Sequence, residues 1–106
     1  MIEAVSLSTG VERKVEVTAA LEGVRMTIRD GRKGTVLAFV TVPAEELMTV
    51  LTEPSDGPTA VKGDTAGAAR VLAVEVRRNE VWLTIGGTGA AVGLDDLMAA
   101  LAALPS

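Results

Sequence analysis

The chain has 106 residues, 48% of them apolar, a formal net charge of −4, one Phe, one Trp and no Tyr. That length suits one domain with one aliphatic core. Neither Cys nor His occurs, which excludes disulfides, thiol nucleophiles, Cys/His zinc sites and the commonest general base.

In chain order, Ile2 to Leu7 reads as a first strand and Ser8-Thr9-Gly10 as a turn. Val15, Val17, Ala19 and Leu21 alternate with Lys14, Glu16 and Thr18, the period of a half-buried strand. After a Glu22-Gly23 turn, Val24, Met26 and Ile28 face inward while Arg25, Thr27 and Arg29 face out. Asp30 to Gly34 forms a polar hairpin loop, and the more continuously apolar run Thr35 to Val42 predicts a strand covered on both faces. A helix begins near Pro43, with Glu45 and Glu46 in its first turn, and stops at Glu53-Pro54.

Ser55 to Gly67 reads as a linker containing a short strand near Ala60 to Lys62. Leu72, Val74 and Val76 then alternate with Ala73, Glu75 and Arg77; Asn79-Glu80 turns; and Val81, Leu83 and Ile85 point inward. Gly86-Gly87-Thr88-Gly89 is the next hairpin, Ala90 to Val92 a short strand, and Leu94 to Leu104 a closing helix. The second half restates the first. Val24-Arg25-Met26-Thr27-Ile28 returns as Val81-Trp82-Leu83-Thr84-Ile85, and Glu45-Glu46-Leu47-Met48 as Asp95-Asp96-Leu97-Met98. An internal repeat bears on the whole architecture. The expectation is a single α+β domain over 1–106, made of two tandem β-β-β-β-α units with antiparallel sheets and two helices about a pseudo-twofold. The first unit spans about 2–53, the linker about 54–67, and the second unit about 60–105.

A duplicated four-strand-plus-helix unit of this size resembles the Whirly-like group of folds: Whirly proteins, PC4-type coactivators and PUR-repeat proteins. Ile28-Arg29-Asp30 followed by Gly31-Arg32-Lys33-Gly34 and a strand is similar to a PC4-type basic run. The resemblance implies binding of single-stranded nucleic acid on a sheet face. The same architecture also resembles sporulation-associated division regulators of actinomycetes, whose partners are proteins.

The constellation that fits such binding is Arg25 and Arg29 on one strand, Arg32 and Lys33 in the following loop, and Arg77 and Trp82 in the second half. Bases stack on an exposed ring and guanidinium groups meet phosphates. A Trp82 buried beneath a helix or at a subunit contact is the competing reading. Glu45-Glu46 and Asp95-Asp96 suit the positive end of a helix dipole better than a metal or catalytic pair. The Gly86–Gly89 stretch lacks both the third Gly of a dinucleotide fingerprint and the Lys of a P-loop. Leu94, Leu97, Met98, Leu101 and Leu104 form a helix face suited to core packing or to dimer contact.

No nucleophile–base pair, metal cluster or cofactor motif is present, so a non-enzymatic role without a catalytic residue, cofactor or metal is expected. The expected partner is single-stranded DNA or RNA, with self-association or another protein as the alternative. Net negative charge repels nucleic acid at long range unless the basic residues cluster. No signal segment or membrane-length apolar run is evident, so a cytoplasmic chain with no membrane partner is expected. Its Ala, Val, Gly and Arg usage suits a high-GC bacterial or phage gene.

Overall fold

A computed structural model describes residues 1–53 and 56–105. Eight strands run as β1 Ile2–Val5, β2 Glu12–Ala20, β3 Gly23–Asp30, β4 Val36–Val42, β5 Thr59–Thr65, β6 Ala68–Arg77, β7 Glu80–Ile85 and β8 Thr88–Gly93. Helix α1, Ala44–Thr52, follows β4, and α2, Leu94–Ala102, follows β8. Every strand pairs antiparallel with its chain neighbour, and β1 pairs with β8, so the sheet closes into one barrel. This corrects the expected α+β arrangement of two open-sheet repeats related by a pseudo-twofold, and with it the Whirly-like, PC4-like layout. The edges left free in that layout meet each other here, and closure removes a sheet's unpaired edges.

The interior follows from alternation. Val15 sits opposite Ile28, Met26 opposite Val40, and Val74 opposite Leu83. The buried core is aliphatic, with Met26, Ile28, Leu72, Leu83 and Ile85 among its largest enclosed side chains. Both aromatics of the chain stay outside it, so Phe39 and Trp82 are only half-buried. Leu47 of α1 and Leu97 of α2 are fully enclosed and join the same core. The helices therefore close one end of the barrel, where the β2–β3 and β6–β7 turns also lie. The β1–β2, β3–β4, β5–β6 and β7–β8 turns surround the opposite end, which carries no helix.

Joints around the barrel are unequal. β2–β3 is paired over eight residue pairs and β5–β6 over seven, but β4–β5 registers only Thr41 with Asp64, and β8–β1 only Val5 with Ala91. At the β4–β5 seam Thr65 Oγ1 donates to the Phe39 carbonyl at 2.6 Å. Gly63 lets β5 come close there. A Cβ on Gly63 would overlap the Thr41 carbonyl oxygen and stand 2.8 Å from Val42 Cγ1.

Three local expectations are corrected as well. The strand expected over 35–42 is not covered on both faces, since Val36 and Leu37 are 48% and 40% exposed. A register shift between Ile28 and Arg29 leaves two β4 residues opposite one step of β3, which turns both side chains outward. The expected linker is largely a strand, because β5 pairs residue for residue with β6 from Thr59 to Thr65; its Pro54-Ser55 portion, with the predicted helix stop at Pro54, lies outside the described residues. Thr27, expected to face solvent, is 5% exposed because it sits between Glu16 and Phe39 on the flanking strands.

Candidate functional site

The β3–β4 loop is a built structure rather than a loose tip. Asp30 Oδ1 accepts the backbone N–H groups of Arg32 and Lys33 at 2.8 and 2.9 Å, and the Asp30 carbonyl accepts Gly34 N–H at 3.0 Å. Those two N–H groups, first Lys33 and then Arg32, hold the Asp30 carboxyl below its ordinary value of 3.8, helped by the Arg13 and Lys33 charges. Arg29 ties the loop down from β3. Its Nη1 donates to the Gly34 carbonyl at 2.9 Å while Nε and Nη2 donate to Glu16 Oε1 at 3.1 and 3.0 Å. With the backbone fixed this way, the Arg32 and Lys33 side chains project into solvent.

The expected site residues divide into two groups. Arg25 and Arg29 on β3 share one wall with Arg32 and Lys33 in the loop after it. Arg77 on β6 and Trp82 on β7 stand on the opposing wall, because β3 and β7 are four strands apart in a ring of eight. The structure thus brings four of the six together and separates the remaining two. On the far wall Arg77 lies over the Trp82 ring, 3.9 Å from its centroid, and pairs with Glu75. Trp82 Nε1 donates to Glu80 Oε1 at 3.3 Å. Trp82 is neither bare nor buried beneath a helix. It is half-buried on an outer wall with a guanidinium on one face.

Three participants went unnoticed in the sequence. Phe39 faces outward on β4, with the Arg25 guanidinium 5.2 Å from its centroid; its parity opposite Ala38 and Val40 was the available signal. Arg13 and Arg70 occupy inward-facing positions, opposite buried Ala4 and opposite Gly63. Nothing in a period-two pattern advertises an arginine on the inner face near a strand end.

Charge is segregated along the barrel. Six of the ten basic residues (Arg13, Lys14, Arg29, Arg32, Lys33 and Arg70) belong to the helix-free end, against the acids Glu12, Asp30 and Asp64, Glu3 opposite Lys14, and Glu16 bonded to Arg29. The helix end holds nine of the fourteen acids: Glu22, Glu45, Glu46, Glu53, Asp56, Glu75, Glu80, Asp95 and Asp96, against Arg77 and Arg78. A chain of net −4 therefore gathers its excess acid at the helix end and leaves the other end near balance, with Arg32, Lys33 and Arg70 exposed on it, which a net-charge argument hides. Among the described residues no group of three or more His, Cys, Asp or Glu could hold a metal ion, and no helix is long and apolar enough to cross a membrane.

Comparison with family models, with curated proteins and with solved structures returns no match. Function has to be read from this geometry.

Proposed function

We propose that the chain is a non-enzymatic module that binds a single-stranded nucleic acid along the β3–β4 wall and the basic loop after β3. The placement of charge carries this reading: Arg32 and Lys33 stand exposed on the loop after β3, while nine of the fourteen acids stand at the other end of the barrel. Arg32 and Lys33 are exposed on a rigid loop, so ordering them for phosphate contact costs little backbone entropy. Phe39 offers an aromatic surface farther along the same wall, opposite Thr27, with Arg25 available to sandwich a base. Arg77 and Trp82 are left out of this surface because they lie on the other wall.

Fluorescence anisotropy with a labelled single-stranded oligonucleotide at low salt tests the proposal. Wild-type protein should bind in the micromolar range or tighter, with log K falling as log salt rises. Arg32→Glu with Lys33→Glu should weaken binding and flatten the salt slope by about 1.4, at roughly 0.7 per single-strand phosphate contact. Arg78→Glu, at the helix end, should change little. Absence of binding at low salt would end this reading.

One observation favours a second reading, self-association or binding of another protein. Val36 and Leu37 expose apolar surface on β4 beyond its single pairing with β5, and apolar side chains on an unpaired edge invite strand addition. Light scattering would show a dimer that Leu37→Glu dissociates. A strict monomer would remove self-association.

A further inference from the structure

We propose that the helix-free mouth of the barrel is a binding site for a phosphate group, held between the guanidiniums of Arg13 and Arg70. The inference does not depend on the strand-binding reading, since it concerns inward positions rather than the outer wall.

Register fixes the first point. Arg13 lies opposite Ala4 and Asp30, and Val15, two residues on, is fully buried, so Arg13 belongs to the inner face of β2. Arg70 lies opposite Gly63 and two residues before fully buried Leu72, so it belongs to the inner face of β6. β2 and β6 are four strands apart in a ring of eight, hence on opposing walls, and each arginine sits near the strand end that borders the helix-free mouth.

The second point is an unmet donor. Arg13 Nε is buried and, among the described residues, has no hydrogen-bond partner. A buried donor without a partner carries a desolvation cost. Asp30, opposite Arg13, feels its charge and spends Oδ1 on two N–H groups of its own loop, yet Arg13 forms neither ion pair found among the described residues. Arg70 is likewise in neither of those pairs. Its Nη1 lies over the β7–β8 turn, 3.2 Å from where a Cβ on Gly86 would stand, and Gly86 has φ +61. Glycine there keeps the turn open beneath the guanidinium.

The third point is the setting. Ile28 and Ile85, 0% and 1% exposed, lie on the inner face near this end, so the mouth has an apolar floor, and a contact to the buried Arg13 Nε gains strength from that setting. Arg32 and Lys33 add positive charge at this end, against the carboxylates of Glu12, Asp30 and Asp64. Guanidinium forks carried on opposing walls of the same mouth would suit a tetrahedral phosphate with several acceptor oxygens. A carboxylate would be satisfied by one fork alone. The same group can arrive as free phosphate or a phosphomonoester, or as the 5′ end of a nucleic acid.

The test is a titration of the ¹⁵N-labelled full chain with inorganic phosphate at constant ionic strength. The readouts are the Nε–Hε resonance of Arg13 and the Gly86 and Gly87 amides. A saturable shift is expected, weakened about tenfold or more by Arg13→Gln and by Arg70→Gln, and unchanged by Arg78→Gln. Arg70→Gln keeps the test valid should Arg13→Gln disturb folding, because Arg70 is exposed. No saturable shift, or one indifferent to both substitutions, would overturn the site. Oligonucleotides with and without a 5′-phosphate separate the sources. A preference for the phosphorylated end that Arg13→Gln abolishes points to the chain end, whereas equal affinity alongside phosphate saturation points to a free phosphomonoester. Phosphate binding without oligonucleotide binding would leave this site standing and remove the strand-binding reading.

Discussion

Replacing Gly63 by Ala tests how the barrel is held shut. The new Cβ would overlap the Thr41 carbonyl oxygen, with Val42 Cγ1 at 2.8 Å and Val40 Cγ2 at 3.0 Å. Those separations fall roughly 1 Å short of the 3.5–4.0 Å at which carbon atoms pack comfortably. The Thr41 carbonyl belongs to the backbone, so that overlap cannot be relieved by a rotamer change. β5 must therefore move away from β4, at a seam registered only through Thr41 and Asp64 and supported by the Thr65–Phe39 hydrogen bond. Overpacking of this kind costs about 1–3 kcal/mol, and each seam hydrogen bond lost adds about 0.5–1.5 kcal/mol. The expected total is about 2–4 kcal/mol. For a domain of this size that lowers Tm by about 10–20 °C. Thermal melts followed by far-UV circular dichroism measure it directly, with Gly87→Ala as the control because a Cβ there meets nothing within 4 Å. A Gly63→Ala protein that melts within about 2 °C of wild type would refute the seam as described.

Leu97→Ala empties a fully enclosed position where α2 joins the core and should cost about 2–5 kcal/mol in denaturant unfolding. Asp30→Asn alters acid stability. The Asp30 carboxyl titrates lower in the folded chain than in the unfolded one, so its contribution is complete above the ordinary value of 3.8 and disappears as pH falls through the lowered folded value. Acid titrations of the Asn variant should lack that component, and identical wild-type and variant profiles would contradict the assignment. Arg77→Ala uncovers one face of the Trp82 indole and should shift its emission to longer wavelength while changing stability by less than about 1 kcal/mol. Unchanged emission would mean the stacking does not persist in solution.

Alternation exposed much of the local structure. Val24, Met26 and Ile28, and again Val81, Leu83 and Ile85, point inward as their spacing indicates, because a strand with one buried face has to repeat every two residues. Sheet closure was not legible. It depends on β1 reaching β8 and β4 reaching β5 through one registered pair each, and contacts so sparse leave no periodic trace. The β5 strand, expected only near Ala60 to Lys62, runs from Thr59 to Thr65 for a related reason: Gly63 and Asp64 are residue types that commonly end strands, yet Gly63 is there to admit a neighbouring strand. Among the site residues, Arg25, Arg29, Arg32 and Lys33 came from a single hairpin, where short-range sequence order fixes proximity. Joining them to Arg77 and Trp82 required knowing which strands oppose each other in the ring. Arg13 was invisible, since its importance comes from a buried Nε whose lack of a partner only three-dimensional packing reveals.

The crowding of acids at the helix end makes the molecule electrically lopsided despite its modest overall charge. On a cationic support it should adsorb helix-first and leave the arginine-rich rim facing the liquid, and on an anionic one the orientation should invert. Immobilisation chemistry will therefore decide which ligands a surface-based assay can detect, and a resin chosen from the isoelectric point alone would see only half of the protein.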